Sequence, residues 1–157
     1  DLERLPKEVR ARAVKVAGIG FAGGKYRRLD EPGLTRVAAD KAYAAAGVSP
    51  GDLHLAEVHD AVSPAELMHY RELRLCGEGE VAKLVAERAT TIGGRLPVNT
   101  SGGLNSRGHP VGATGVAQLI ELTLQLRGDA GVKEAFARIS ALMREPAPGA
   151  QALKPAG

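Results

Sequence analysis

Tryptophan is absent from this chain of 157 residues, and only three tyrosines and two phenylalanines occur. Any core must therefore be built from Ala, Val, Leu and Ile. One cysteine, Cys76, excludes an internal disulfide framework and suits a reducing compartment. No run of 18 apolar residues and no signal-peptide pattern is found, which leads us to expect a cytoplasmic protein with no membrane span. Neither G-x-x-x-x-G-K-[ST] nor G-x-G-x-x-G is present, so nucleotide binding has little support. Metal-ligand spacing is missing, and no metal is expected. The 21 basic residues barely exceed the 18 acidic ones. They form no run interleaved with aromatics, so nucleic acid is not an expected partner; the mild positive charge suits an anionic ligand.

What the chain does have is glycine, concentrated in one place. Residues 99–115 read N-T-S-G-G-L-N-S-R-G-H-P-V-G-A-T-G, with glycines 102, 103, 108, 112 and 115 around a single histidine, His109. Glycine at this density permits positive φ and close backbone approach. An apolar helix is expected to follow at once, over 114–126. His109 therefore stands between a tight loop and a helix N-terminus, where free amides and the positive dipole end favour a neutral imidazole and a nearby anion. A histidine so placed can act as base, acid or oxyanion-hole donor near neutral pH. The plainer reading is a loop histidine that bonds backbone and shapes the turn.

The rest of the chain alternates strand and helix patterns. Residues 1–11 are charged and read as a linker or the end of an upstream segment; the first residue is Asp, which hints at a fragment. A strand is expected at 13–21, then a loop carrying Lys25, Arg27 and Arg28. An Ala-rich helix over 34–46 should stop at Gly47, with Pro50 beyond. Residues 53–59 alternate as a strand. Ser63-Pro64-Ala65-Glu66 has the form of a capping box with proline at N1, opening a helix to about Leu75. A second helix should run to about Arg88, and a short strand at 96–99 enters the glycine loop. The helix over 114–126 is apolar nearly all round, which implies burial on most sides. A further helix is expected at 132–144, with a disordered tail from Glu145. The class is α/β, with a mainly parallel sheet and helices on both faces. Three strands make a thin sheet, so the domain reads as half of something, completed by another domain or chain.

In open parallel sheets, ligands bind beyond the carboxyl ends of the strands. His59, in His59-Asp60-Ala61, and His109 both fall at that edge and are expected to converge on one site. Asp60 is a candidate to orient an imidazole, and Glu66 is assigned to the helix cap. Lys25, Arg27 and Arg28 are either phosphate contacts or a solvated loop. Cys76 has no histidine near it in sequence and reads as a structural thiol; His54 and His69 have no special context.

Taken together, V-H-D-A-V-S-P-A-E-L, L-C-G-E-G-E, G-G-R-L-P-V-N-T-S-G-G and S-R-G-H-P-V-G-A-T-G-V-A-Q resemble the C-terminal half of the thiolase superfamily, in particular its sterol-carrier or lipid-transfer type. The match runs in continuous order over residues 12–131, which we take as the domain; residues 132–157 diverge. The resemblance implies a thiolase-like layered fold, of which this is the C-terminal half only. It also implies acyl-CoA as substrate rather than any cofactor, and an oligomer with a cysteine-bearing N-terminal half or a homologous chain. His109 matches the G-H-P histidine that activates the nucleophilic cysteine. His59 matches the Asn of N-E-A-F thiolases, whose role is to complete an oxyanion hole. Ser101, Gly102, Gly103 and Gly108 are carried over as substrate-binding positions. Three departures stand out: the half with the nucleophile is absent, Ala61-Val62 replaces the C-F of H-D-C-F, and no H-N-x-G-G or C-x-G segment follows Gly131. The resemblance implies an acyltransferase, or a retro-aldolase of acyl-CoA, or a non-catalytic acyl-CoA- or lipid-binding subunit. In every case the isolated chain is expected to lack thiolysis activity.

Overall fold

The computed structural model describes residues 2–24, 26–28 and 31–130. The expected helix at 132–144, the tail beyond it and Lys25 lie outside the described residues. Six α-helices occur among those described: α1 (Lys7–Arg10), α2 (Leu34–Ala46), α3 (Ser63–Glu72), α4 (Val81–Ala86), α5 (Gly103–Arg107) and α6 (Thr114–Arg127).

α2 follows from its alanines, which lose no side-chain entropy in a helix, and it stops at Gly47 in the left-handed region. Its exposed N-terminal amides are served from α3, where the Glu72 carboxylate accepts from Arg36 N–H at 3.1 Å. The Tyr43 hydroxyl donates to Leu73 O at 2.8 Å, holding α2 against the end of α3.

α3 and α4 end earlier than the periodicity suggests, and for the same reason. Arg74 (φ 55°) and Arg88 (φ 52°) take the left-handed conformation without being glycine. Beyond each, a backbone N–H reaches back five residues, Leu75 to Tyr70 O at 2.8 Å and Ala89 to Leu84 O at 3.1 Å. This is a Schellman closure, which returns the following apolar residue beneath the helix. Leu75 and Ala89 are accordingly both buried. They join Val58, Tyr70, Leu84, Leu96 and Val98 in the core, between α3, α4 and the two segments that carry the site.

The expected parallel sheet does not form among the described residues; one parallel bridge, Ala56 with Val98, stands in its place. Local chemistry limits it. Pro97 has no N–H to extend a ladder, and Asn99 (φ 54°) leaves extended geometry at once. Residues 13–21 carry no ladder either and lie on α2 instead. A Cβ on Gly20 would fall 1.8 Å from Ala38 O, so only glycine allows this approach. Lys41 Nζ then donates to Phe21 O at 2.9 Å.

The capping box at Ser63 is also corrected. Ser63 is the first residue of α3, and no side chain caps that end. Glu66 is used elsewhere, as described below. A capping box does form at the short turn Pro50–Asp52, where Ser49 and Asp52 satisfy each other.

α6 departs most from expectation. Val116, Leu119 and Ile120 are 57%, 61% and 54% exposed, whereas Gln125 is fully buried. The helix is apolar on faces that nothing among the described residues covers. Its far end is tied to the start of the chain, with Arg127 Nε donating to Arg12 O at 2.7 Å and Arg12 paired with Asp129.

Candidate active site

Two segments make the site: residues 56–60, leading into α3, and residues 98–109, the glycine loop with α5. They meet through Asn99. Its N–H donates to Ala56 O at 2.8 Å. Its Oδ1 accepts from Val58 N–H at 2.8 Å, and its Nδ2 donates to Glu66 Oε2 at 2.9 Å. Asparagine is among the few non-glycine residues that adopt left-handed backbone readily. Here that twist turns both ends of the amide toward the other segment. Glu66 also accepts the hydroxyl of Tyr70, whose oxygen lies 3.1 Å from Thr90 Oγ1 and can accept from it. Burial, reinforced by the Glu66 bond, pushes the Tyr70 phenol well above its usual range.

Asp60 does not orient an imidazole. Its buried carboxylate accepts from Leu104 N–H at 2.7 Å, an early amide of α5, and from Asn105 Nδ2 at 3.3 Å. Asn105 Nδ2 also reaches Asp60 O at 2.7 Å. A Cβ on Gly103 would stand 2.2 Å from Asp60 Oδ2, and Gly103 has φ 69°, so this position tolerates only glycine. Glu57 is the third acid. Its side chain is wholly buried and accepts from Thr100 Oγ1 (3.2 Å), Ser101 N–H (3.0 Å) and Ser101 Oγ (2.6 Å). Three carboxylates, within ten residues of each other in sequence, thus hold down the loop that leads to His109. The sequence reading gave Glu66 to the helix cap and Asp60 to an imidazole, and both placements are corrected here.

The two histidines converge. The His59 and His109 rings stand edge to face, with centroids 4.6 Å apart, and both residues are exposed. His109 Nδ1 lies 2.8 Å from Thr114 Oγ1, whose hydroxyl is 3.1 Å from Pro110 O. A hydroxyl has one hydrogen to give. With that hydrogen on the carbonyl, Thr114 accepts from Nδ1–H, and Nε2 keeps its lone pair free. This is the tautomer a general base requires. His69, read from sequence as having no special context, donates from Nε2 to His59 O at 3.1 Å and steadies the backbone of the second histidine.

Of the other expected positions, Gly102 and Gly108 are exposed, with φ 89° and 83°. Gly103 is buried, and the Ser101 hydroxyl faces Glu57. Cys76 lies apart, against the α3–α4 core, and burial followed by the nearby Glu80 raises its thiol pKa. It is therefore a poor nucleophile. Arg27 and Arg28 lie on the loop before α2. Among the described residues no cluster of His, Cys, Asp and Glu could hold a metal ion, and no helix is long and apolar enough to cross a membrane.

Residues 31–145 match the family described as thiolase C-terminal domain-like. The chain belongs to this family. Its relatives include human sterol carrier protein 2, 48% identical over 101 residues, which cover 64% of this chain and 18% of that protein. An acetyl-CoA acetyltransferase of Methanothermobacter thermautotrophicus is 38% identical over 135 residues, or 83% of this chain and 35% of the relative. Among solved structures, the Ltp2-ChsH2(DUF35) aldolase aligns with a TM-score of 0.66 at 27% identity, covering 78% of this chain and 33% of that one. This thiolase-family chain thus spans about a fifth to a third of the length of these relatives. The glycine loop, both histidines and the three acids all fall inside the matched residues.

Proposed function

We propose that this chain is the C-terminal domain of a thiolase-like acyltransferase that makes or breaks a C–C bond in acyl-CoA. The observation that carries the reading is the His59–His109 ring pair, with His109 Nδ1 turned to Thr114 Oγ1 so that Nε2 is left for the base role. In this scheme a cysteine on an N-terminal half or homologous chain gives its proton to His109 Nε2, and its sulfur attacks the thioester carbonyl; the C–S bond to coenzyme A then breaks, the departing thiolate takes that proton back from His109, and the acyl group stays on the cysteine. The negative charge that develops on that oxygen is met by donors at the histidine pair, with His59 completing the oxyanion hole. Coenzyme A thioester is the substrate, and no further cofactor is invoked. The glycines at 102, 103 and 108 and Ser101 shape the loop on which the substrate rests. The outward apolar face of α6 supports a homo- or hetero-oligomeric assembly, in a cytoplasmic setting.

The test is co-expression with a cysteine-bearing thiolase N-terminal half, native mass spectrometry of the product and an acetoacetyl-CoA thiolysis assay. We expect a complex that is active where the isolated chain is not. His109→Ala in that complex should lower turnover by about 10²–10⁴-fold, the range a positioned base contributes. A loss under about tenfold overturns the assignment.

A second reading is retro-aldol cleavage of an acyl-CoA side chain. The likeness to a solved aldolase supports it, as does Ala61 where many lipid-transfer-type members carry a cysteine. Cleavage of a β-hydroxyacyl-CoA without thiolysis of acetoacetyl-CoA would select this reading over the first.

A further inference from the structure

We propose that Glu57 and Arg107 form a positioning pair that sets the separation of the two imidazoles. This rests on the reading of His59 and His109 as one site and adds the device that holds them together.

Glu57 lies two residues before His59, and Arg107 lies two residues before His109. Arg107 Nη2 stands 4.0 Å from Glu57 Oε2. The contact therefore joins the two histidine-bearing segments at matching points, each two residues before its histidine. Its electrostatic setting is demanding. Glu57 is wholly buried, and the Thr100 hydroxyl that reaches it also reaches Glu121 Oε1 at 3.1 Å. One hydroxyl hydrogen cannot serve two carboxylates at once, so negative charge accumulates here and the guanidinium offsets it.

Arg107 has reason to stay. Its Nε and Nη2 are buried and have no hydrogen-bond partner among the described residues. Holding this edge of a guanidinium away from water is costly unless an opposite charge faces it. Neither group reaches the histidine rings, so neither is a catalytic residue. Each acts through the segment it anchors. Loss of one partner leaves the other charge buried and uncompensated, so single removals are felt more than joint removal.

The experiment is nuclear magnetic resonance on the 157-residue chain, reading the nuclear Overhauser effect between the His59 and His109 ring protons. Productive sites are held to within about 0.5 Å, and a widening by about 1 Å from the present separation cuts this inverse-sixth-power signal about threefold. We expect that loss in Glu57→Gln and in Arg107→Gln, no greater loss in the double variant, and recovery in Arg107→Lys. An unchanged ring–ring signal in a folded single variant overturns the proposal. Should the variants not fold, the wild-type guanidinium decides. Slowed rotation with separate Arg107 Nη signals supports the pair, and a single averaged signal overturns it. No step of this test uses catalysis. A chain that fails to complete a thiolase but passes here loses its functional reading and keeps its positioning pair.

Discussion

Tyr70 shows how one residue links the site to the stability of the domain. Its hydroxyl joins Glu66, which holds Asn99, which holds the backbone ahead of His59. Burial raises its pKa above the usual 10.0, so the folded state retains a proton that the unfolded chain gives up. The stability this adds is present in full below about pH 10 and declines as pH rises from there toward the higher folded value. Tyr70→Phe lacks that term. We expect the urea midpoint of the natural chain to fall more than that of Tyr70→Phe between pH 8 and pH 11. Equal declines would mean that Tyr70 titrates normally. Tyr43 is also raised by burial, but it is common to both proteins and cancels in the comparison.

Among the helices, the left-handed arginines separate what the sequence reveals from what it hides. Glycine at 47 announces the end of α2, because glycine is the usual residue for that conformation. Arg74 and Arg88 do the same job without the signature, so periodicity runs through them and the helices look longer than they are. Arg74 compensates with an ion pair to Asp40 and a face-on contact over the Tyr43 ring, 5.8 Å from its centroid. The side chain of Arg88 is exposed. We therefore expect Arg88→Gly to stabilise the chain by about 0.5–1 kcal/mol in chemical denaturation, given a left-handed penalty of about 1–2 kcal/mol. Arg74→Gly should bring no gain. Stabilisation of both to the same extent would show that the Arg74 contacts count for nothing. The strands were the harder element to read. Alternation at 53–59 and at 96–99 is real, yet pairing depends on neighbours that a local pattern does not report. His109 was legible because loop glycines and a following apolar helix mark it, and His59 because it closes the alternating segment 53–59 ahead of α3. The acids were not, because a carboxylate that caps an amide looks in sequence like any other.

At the scale of the molecule, α6 carries the clearest mismatch between composition and surroundings. A helix expected to be buried on most sides instead turns Val116, Leu119 and Ile120 outward. Burying one such side chain contributes about 1.5–3 kcal/mol, so the face favours association strongly once a complementary surface is offered. Ile120→Lys should change the unfolding free energy of the isolated chain by no more than about 0.5 kcal/mol, as surface substitutions do. The same change should abolish co-purification with a cysteine-bearing thiolase half. Retained assembly would place the contact elsewhere.

The bonds from Asn99 to Val58, from Ser101 to Glu57 and from Leu104 to Asp60 span 41, 44 and 44 residues. All three close the same loop of chain, and none can form before α3 and α4 have been enclosed between its ends. Closure of that loop is one entropic event rather than three, which makes the histidine pair a product of folding that arrives all at once. The amides of Val58, Ser101 and Leu104 should consequently exchange with deuterium as one cooperative unit, opening at a single free energy. A mutation that weakens any of the three would then slow the appearance of the whole site during folding.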